Sequence, residues 1–173
     1  MSSTIRYAFG ESSLGAFIAA TSDRGLVAFE FAEPGPSPVR ALQDRFADSQ
    51  VVEDMAGLAA TIGKLAEVIA HPDRDPGLAI DPRGTDHELR VWEALRRIPA
   101  GRTVSYGAIA AGLGAPREAR EVAEACAANS IAILIPCHRV VKKDGSLSGY
   151  RWGFKRKREL IAREQTVQAF QLA

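Results

Sequence analysis

The sequence lacks any long apolar run and has few residues that bind metals or form disulfides. No segment reaches the roughly eighteen apolar residues that a membrane-spanning helix needs, and the N-terminal MSSTIRYAFG has no signal-peptide core. Two cysteines, Cys126 and Cys137, allow at most one disulfide, and the three histidines show no metal-ligand spacing. We therefore expect a cytoplasmic protein with free thiols, no metal and no cofactor.

Composition and charge indicate a globular chain with two electrically different halves. With 173 residues, 46% hydrophobic and 25% charged, it is long enough for one domain or two small ones. Residues 1–84 hold seven Lys or Arg against twelve Asp or Glu, a balance of −5, whereas residues 85–173 hold fifteen against nine, a balance of +6. The second half is therefore the one suited to a polyanion, although a basic surface is often only a solvated face.

The first 84 residues predict strands followed by helices. Alternating apolar residues in TIRYAFG, LGAFIAA and GLVAFEF, separated by the turn-like ESS and TSDRG, predict an antiparallel meander. Helical spacing follows in VRALQDRF and MAGLAATIGKLAEVIA. GLAIDPRGT predicts a further short strand and a linker.

From residue 85 onward the pattern becomes helical. Thr85 or Asp86 can cap a first helix, Ser105 can cap YGAIAAGL, and Pro116 suits the first turn of PREAREVAEACAAN. The helices predicted in YGAIAAGL and PREAREVAEACAAN are joined by a glycine-containing turn, so they are a helix-turn-helix candidate. Many helical hairpins bind nothing, so this pattern alone does not establish a DNA-binding protein.

The second helix of that pair has two predicted faces. The core face has spacing i, i+3, i+4, i+7 and comprises Ala119, Val122, Ala123 and Cys126. The opposite face carries two pairs at i, i+4 spacing, Arg117 with Glu121 and Arg120 with Glu124. Cys126 is thus expected to be a small buried hydrophobic residue.

The other cysteine follows an apolar run. SIAILIP predicts a buried extended segment that carries Cys137 to a cleft, with Pro136 fixing the backbone before it. A thiol reacts as thiolate, so it needs a base, and His138 is the nearest candidate, acting through a water or a local turn. The base would in turn need an acid to orient it. The alternative is an inert buried cysteine beside a surface histidine.

The motif PCHRVV, followed by GSLSGYRWG and preceded by ACAAN and TVSYGAIA, resembles the O6-alkylguanine-DNA alkyltransferases, which are DNA repair proteins. The resemblance runs from about Gly84 to Glu164 and is strongest to the alkyltransferase half of bacterial adaptive-response regulators. It implies an α+β fold: an N-terminal ribonuclease-H-like domain with an antiparallel sheet over residues 1–84, and a C-terminal winged-helix-like domain with a helix-turn-helix over residues 85–173, which binds DNA and accepts the alkyl group.

The resemblance also implies a reaction and its residues. Cys137 would take the alkyl group irreversibly from O6-alkylguanine, and from O4-alkylthymine, in double-stranded DNA, so each chain would react once. His138 would be the base and Glu164 its orienting acid. Asn129 matches a hinge that ties the recognition helix to the active-site segment, and Tyr106 matches a phenol that donates to the leaving base.

In this family the alkylated nucleotide must be flipped out of the duplex before its base can reach the thiol, and the recognition helix lies in the minor groove. The resemblance implies that Arg120 fills the vacated stack. It implies further DNA contacts by Arg117, Ser105, Ala119 and Tyr106, and a nucleotide pocket built from Pro136, Val140, Tyr150, Arg151 and Trp152. A monomer with no membrane partner is expected.

One departure and two alternatives stand beside this interpretation. Glu121 and Glu124 replace small residues on the recognition helix, where they should repel phosphates and weaken binding or favour distorted DNA. The chain could instead be a non-enzymatic alkylated-base binder or transcription regulator of the same fold, although relatives of that kind have tryptophan where this chain has Cys137. A Cys-His hydrolase is the third possibility, but no oxyanion hole is recognisable in the sequence.

Overall fold

The structure, a computed structural model, describes residues 2–172 and the side chains of residues 2–166. It is a mixed α+β fold that divides into two compact units, Met1–Ala70 with Arg74–Pro82 and His71–Asp73 with Arg83–Ala173. The strands are β1 (Ser3–Gly10), β2 (Phe17–Thr21), β3 (Leu26–Phe31), β4 (Ser49–Glu53), β5 (Val104–Ser105) and β6 (Val140–Val141). The α-helices are α1 (Pro36–Arg45), α2 (Met55–Ala70), α3 (Asp86–Arg96), α4 (Tyr106–Gly112), α5 (Ala119–Ala127) and α6 (Phe154–Leu172).

The first unit is a four-stranded sheet of order β3-β2-β1-β4 that contacts two helices. β1, β2 and β3 form an antiparallel meander, which confirms the prediction from alternating apolar residues. One sheet face packs against α1 through an apolar cluster: Ile5, Tyr7, Ile18, Ala20, Val27, Ala28, Leu42 and Phe46. Helix α2 contacts β1 and buries one apolar stripe, so both predicted helices are confirmed.

Two details of this unit differ from the prediction. β4 pairs in parallel with β1, with Val51 opposite Ile5, and the sequence analysis did not predict it because SQVVE is a short, partly exposed edge strand. GLAIDPRGT forms no strand and contributes a single bridge between Ile80 and Leu26. The proline, glycine and aspartate residues around Ile80 favour turns, which limits the pairing to that bridge.

The second unit is mainly helical. Thr85 caps α3 in a reciprocal capping box with Glu88, and Ser105 caps α4 by accepting from Ala108 N, so both predicted caps are confirmed. Trp92 of α3 donates from Nε1 to Ala125 O at 2.8 Å and so ties α3 to α5. β5 and β6 pair in parallel.

Two predictions for this unit were wrong in detail. Helix α5 begins at Ala119 rather than at Pro116, because Glu118 N first closes a turn onto Ala115 O. SIAILIP is largely buried but not extended: hydrogen bonds from Leu134 N to Ala132 O and from Ile135 N to Ile131 O fold it into turns.

No helix within the described part of the chain is long and apolar enough to cross a membrane.

Candidate functional site

Cys137 begins a short 3₁₀ helix, Cys137–Arg139, that follows directly from the turns after α5. Its side chain is 4% exposed, and its amide donates to Ile135 O at 2.8 Å. Ile133, just upstream, has φ of 67°, a left-handed conformation that costs a β-branched residue about 1–3 kcal/mol. The surrounding structure therefore holds the segment that carries the thiol in an unfavourable backbone conformation.

Asn129 fixes that segment with its side-chain amide. Its Nδ2 donates to Ile135 O at 2.9 Å and to Cys137 Sγ at 3.2 Å, while its Oδ1 accepts from Ile131 N at 2.9 Å. The residue is fully buried at the end of α5, so it joins that helix to the thiol. The hydrogen bond to sulfur favours the thiolate form.

His138, the residue after Cys137, forms a buried pair with Glu164. His138 Nε2 lies 2.7 Å from Glu164 Oε1, and both side chains are almost completely buried. Because a carboxylate only accepts hydrogen bonds, Nε2 carries the proton and Nδ1 keeps its lone pair. Nδ1 has no hydrogen-bond partner among the described residues. The imidazole is thus oriented as a base with a free acceptor nitrogen.

A second cation shares the same carboxylate. Arg139 donates from Nε to both oxygens of Glu164, at 3.0 and 3.1 Å, and from Nη2 to Oε1 at 2.7 Å. Its other donors reach the carbonyls of Ile98 and Pro72. The sequence analysis did not single out Arg139, and no feature of PCHRVV distinguishes a buried arginine from an exposed one.

Burial favours the neutral forms of the Cys137 thiol and the His138 imidazole. Burial raises the pKa of the Cys137 thiol, against the opposing effects of Asn129, Lys157 and Arg151. Burial lowers the pKa of His138 even though Glu164 opposes this. A neutral thiol and a neutral imidazole are the two species that a proton transfer from sulfur to nitrogen requires.

A pocket of about 410 Å³ opens onto the thiol, a volume within the range of small-molecule sites. Its lining residues are Tyr106, Ala123, Cys126, Ala127, Cys137, Lys142, Ser148, Gly149, Tyr150 and Arg151. Two of the five predicted pocket residues, Tyr150 and Arg151, therefore line it, together with Tyr106, which was predicted as the donor to the leaving base. Cys126 is buried, as predicted, and shares this pocket with the other thiol.

The remaining predicted pocket residues support the lining without belonging to it. Pro136 and Val140 are buried, and Val140 O accepts from Lys157 Nζ at 2.7 Å. Trp152 packs edge-to-face on Tyr150, with ring centroids 5.2 Å apart. Arg151 lies over the Trp152 ring and donates to Asn129 O at 2.8 Å, which links the pocket wall to Asn129.

Lys157 and Ser148 are polar residues of the site that the sequence analysis missed. Lys157 is fully buried although it lies in the charged stretch FKRKRE of α6. Its position shares one helix face with Leu160, Ile161 and Glu164, at i+3, i+4 and i+7, and this spacing is the signal that could have identified it.

The helix-turn-helix places its predicted DNA-contacting residues at or near the surface. Arg120 on α5 is 88% exposed and forms an ion pair of 3.6 Å with Glu124, as the spacing predicted. Arg117 lies exposed in the turn before α5, and the structure shows no ion pair between it and Glu121. Ser105, Tyr106 and Ala119 are half-buried.

These features define a class: a protein with a hydrogen-bonded, buried thiol, a histidine paired with a carboxylate, and a helix-turn-helix whose second helix borders the thiol pocket. Within the described residues no cluster of potential ligands could hold a metal ion. Residues 86–166 match the family model of the 6-O-methylguanine DNA methyltransferase DNA-binding domain.

Known proteins place the chain in a family. It is 42% identical over 162 residues to the bifunctional transcriptional activator/DNA repair enzyme Ada of Escherichia coli, which covers 92% of this chain but only 45% of Ada. It is 39% identical over 130 residues to a methylated-DNA–protein-cysteine methyltransferase of Mycobacterium tuberculosis, covering 74% of this chain and 79% of that relative. The crystal structure of M. tuberculosis OGT in complex with DNA matches with a TM-score of 0.75 and 33% identity, over 94% of this chain and 93% of that one.

The chain belongs to the methylated-DNA–protein-cysteine methyltransferase family. This confirms the resemblance that PCHRVV and its flanking motifs indicated. The chain spans less than half the length of Ada.

Proposed function

We propose that this chain repairs DNA by direct reversal, taking the alkyl group, chiefly methyl, from O6-alkylguanine in double-stranded DNA onto Cys137 Sγ. The observation that carries the proposal is the thiol itself, which accepts from Asn129, lines a pocket and directly precedes His138, the histidine that is paired with Glu164. O4-alkylthymine, which presents the same kind of O-alkyl carbon, is a second substrate.

The reaction is a displacement at carbon. The thiol proton moves through a water molecule to His138 Nδ1, the new Sγ–carbon bond forms, and the carbon–O6 bond breaks with its electron pair left on guanine. Tyr106 donates to the guanine anion, which makes it a better leaving group. The thioether has no route back to a thiol, so the protein works once.

The DNA contacts are also part of the proposal. Helix α5 enters the minor groove, Arg120 fills the stack vacated by the flipped base, and Arg117, Ser105, Tyr106 and Ala119 contact the duplex. Tyr150 and Arg151 form the wall of the base pocket, with Pro136, Val140 and Trp152 behind them. The exposure of Arg120 and the proximity of α5 to the pocket support this arrangement.

We also propose the fold of each domain, the oligomeric state and the cellular location. A β3-β2-β1-β4 sheet with one parallel edge strand supports a ribonuclease-H-like domain over residues 1–84. The α4–α5 pair with the β5–β6 ladder supports a winged-helix-like domain over residues 85–173. We further propose a monomer that works in the cytoplasm, where a reducing environment keeps the acceptor thiol free.

Intact-mass measurement tests the acceptor directly. After incubation with a duplex carrying one O6-methylguanine, the chain should gain a single methyl group. Cys137→Ala should gain none, whereas the matched variant Cys126→Ala, which removes the other pocket thiol, should still gain one.

Two results would contradict the proposal. Tight binding of the modified duplex with unchanged mass would instead identify an alkylated-base binder or regulator. Repeated turnover of an ester or amide by Cys137 would identify a hydrolase.

A further inference from the structure

A run of hydrogen bonds connects a buried ammonium group to the thiol pocket. Lys157 Nζ donates to Val140 O at 2.7 Å and to Ser148 Oγ at 2.8 Å, with a longer contact of 3.5 Å to Gly149 O. Ser148 Oγ forms a short hydrogen bond with Tyr106 Oη. Ser148 and Tyr106 both line the pocket that contains Cys137, so the run ends where the substrate base is proposed to lie.

The chemistry of the three groups gives this run a direction. An ammonium group donates and never accepts, so Ser148 Oγ accepts from Lys157. The serine hydroxyl keeps one hydrogen of its own to donate. Within residues 2–166 the structure gives Ser148 Oγ no partner besides Lys157 and Tyr106. The phenol oxygen can accept that hydrogen, and either hydroxyl can be the donor in their contact.

We propose that Ser148 is a positioning residue for alkyl transfer: held by Lys157, it donates to Tyr106 Oη and turns the phenol hydrogen toward the guanine in the pocket. The inference rests on the proposed function and assigns that function a residue outside the thiol, imidazole and carboxylate set. It also gives the buried Lys157 a role, since a buried ammonium is costly unless its donors are satisfied.

The hydrogen bonds from Lys157 to Ser148 and from Ser148 to Tyr106 stabilise the negative charge that develops during alkyl transfer. When the carbon–O6 bond breaks, its electron pair stays on guanine, and the Tyr106 proton passes to a ring nitrogen of that anion. The phenolate that remains accepts from Ser148, with the Lys157 charge at the far end of the run, and regains its proton from solvent after the base leaves. Burial raises the pKa of the Tyr106 phenol, and the hydrogen bond with Ser148 acts against that rise.

A pair of variants of matching shape isolates the hydroxyl. Ser148→Thr and Ser148→Val add similar bulk to the pocket wall, but only the threonine can accept from Lys157 and donate to Tyr106. Transfer is measured in single turnover, with protein in saturating excess over a duplex carrying O6-methylguanine. We expect the valine variant to react roughly tenfold more slowly than the threonine variant, the effect of about one lost transition-state hydrogen bond.

A second substrate separates positioning from general damage to the pocket. O6-methyl-8-azaguanine at the same site has a more acidic leaving base, which needs less help from a donor. The threonine-to-valine rate ratio should therefore shrink toward one with this substrate, whereas a merely structural defect would slow both substrates equally. Equal thermal unfolding midpoints of the two variants are the folding control.

The outcomes distinguish this inference from the function on which it rests. If the unaltered chain transfers methyl but the threonine and valine variants react equally fast, the role of Ser148 is overturned and the proposed function stands. A threonine-to-valine ratio that is the same for both substrates also overturns it. If the unaltered chain transfers nothing, the proposed function fails and this inference fails with it.

Discussion

The two units of the chain differ in what they bury. The first unit has an apolar core of strand and helix side chains around the β3-β2-β1-β4 sheet. In the described residues, every buried polar or charged side chain belongs to the second unit: Asn129, Ser130, His138, Arg139, Lys157 and Glu164.

Burying these polar and charged side chains costs stability, and in the described residues this cost falls on the second unit. Burying an ionised group costs several kcal/mol unless it is paired and hydrogen-bonded, and a hydrophobic replacement of similar volume is often as stable. Glu164 satisfies Arg139 and His138 together, and Lys157 is satisfied by a carbonyl and a hydroxyl. Asn129 donates to the Cys137 thiol, and His138 and Arg139 follow that cysteine in the chain, so the burial of these groups is best explained by chemistry at the thiol.

Of the changes considered, removal of the Glu164 carboxylate should destabilise the second unit the most. We expect Glu164→Ala to lower the free energy of unfolding by about 3–5 kcal/mol, because it leaves Arg139 and His138 buried without their acceptor. Alkyl transfer should fall in the same variant, since His138 loses its orienting partner. Denaturant unfolding and single-turnover transfer measure the two effects.

A core truncation in the first unit is the matched control. Leu42→Ala should destabilise by about 2–5 kcal/mol, through lost burial and a cavity. Under conditions in which the variant stays folded, its transfer rate should be unchanged. Equal losses of transfer in the two variants would contradict the assignment of chemistry to the second unit alone.

The buried histidine and carboxylate should make the second unit acid-sensitive. Burial lowers the pKa of His138 below its ordinary 6.5. Burial alone would raise the pKa of Glu164, but hydrogen bonds from His138 and Arg139 outweigh that effect and hold it below 4.5. In both cases the unfolded chain binds the proton more readily, so the free energy of unfolding falls as pH drops below each ordinary value. The loss approaches about 1.4 kcal/mol per pH unit for each group.

Unfolding by denaturant between pH 7.5 and pH 4 provides the measurement. A His138→Gln variant should lose the decline that begins near the ordinary histidine pKa and retain the part due to Glu164 at lower pH. A free energy of unfolding that stays level from pH 7 through pH 5 in the unaltered chain would contradict the prediction.

The smallest expected effect concerns the acidic surface of α5. Glu121→Ala should tighten binding to duplex DNA by about threefold at fixed salt, because it removes a carboxylate near the phosphates. Glu33→Ala, which makes the same charge change at an exposed position of the first unit, should leave affinity nearly unchanged. Unchanged or weaker binding by Glu121→Ala in a titration at constant ionic strength would refute this.

The first unit could largely be predicted from its sequence, because its elements follow simple periodicities. Strand alternation predicted the meander and helical spacing predicted α1 and α2. β4 was missed because five residues with two half-exposed valines carry little periodic signal. Its place in the sheet depends on parallel pairing with β1, which is distant in the chain.

The second unit could be predicted less completely, because its site depends on tertiary contacts. The N-caps of α3 and α4 and the motif around Cys137 were recognisable. The turns before the thiol depend on Asn129, whose backbone partners Ile131 N and Ile135 O lie two and six residues further along the chain. Lys157 can be buried because Val140 O and Ser148 Oγ accept from its ammonium group. Arg139 can be buried because the Glu164 carboxylate accepts from its guanidinium. All three partners are distant enough in the sequence that local spacing does not reveal them.

A stoichiometric titration tests whether one thiol of each chain accepts one alkyl group. Increasing amounts of a duplex carrying labelled O6-methylguanine are added to a fixed amount of the unaltered chain, and the labelled peptide is then identified. Labelling should stop at one methyl per chain, all of it on the peptide that contains Cys137. Labelling that continues beyond one equivalent, or that appears on the peptide containing Cys126, would contradict it.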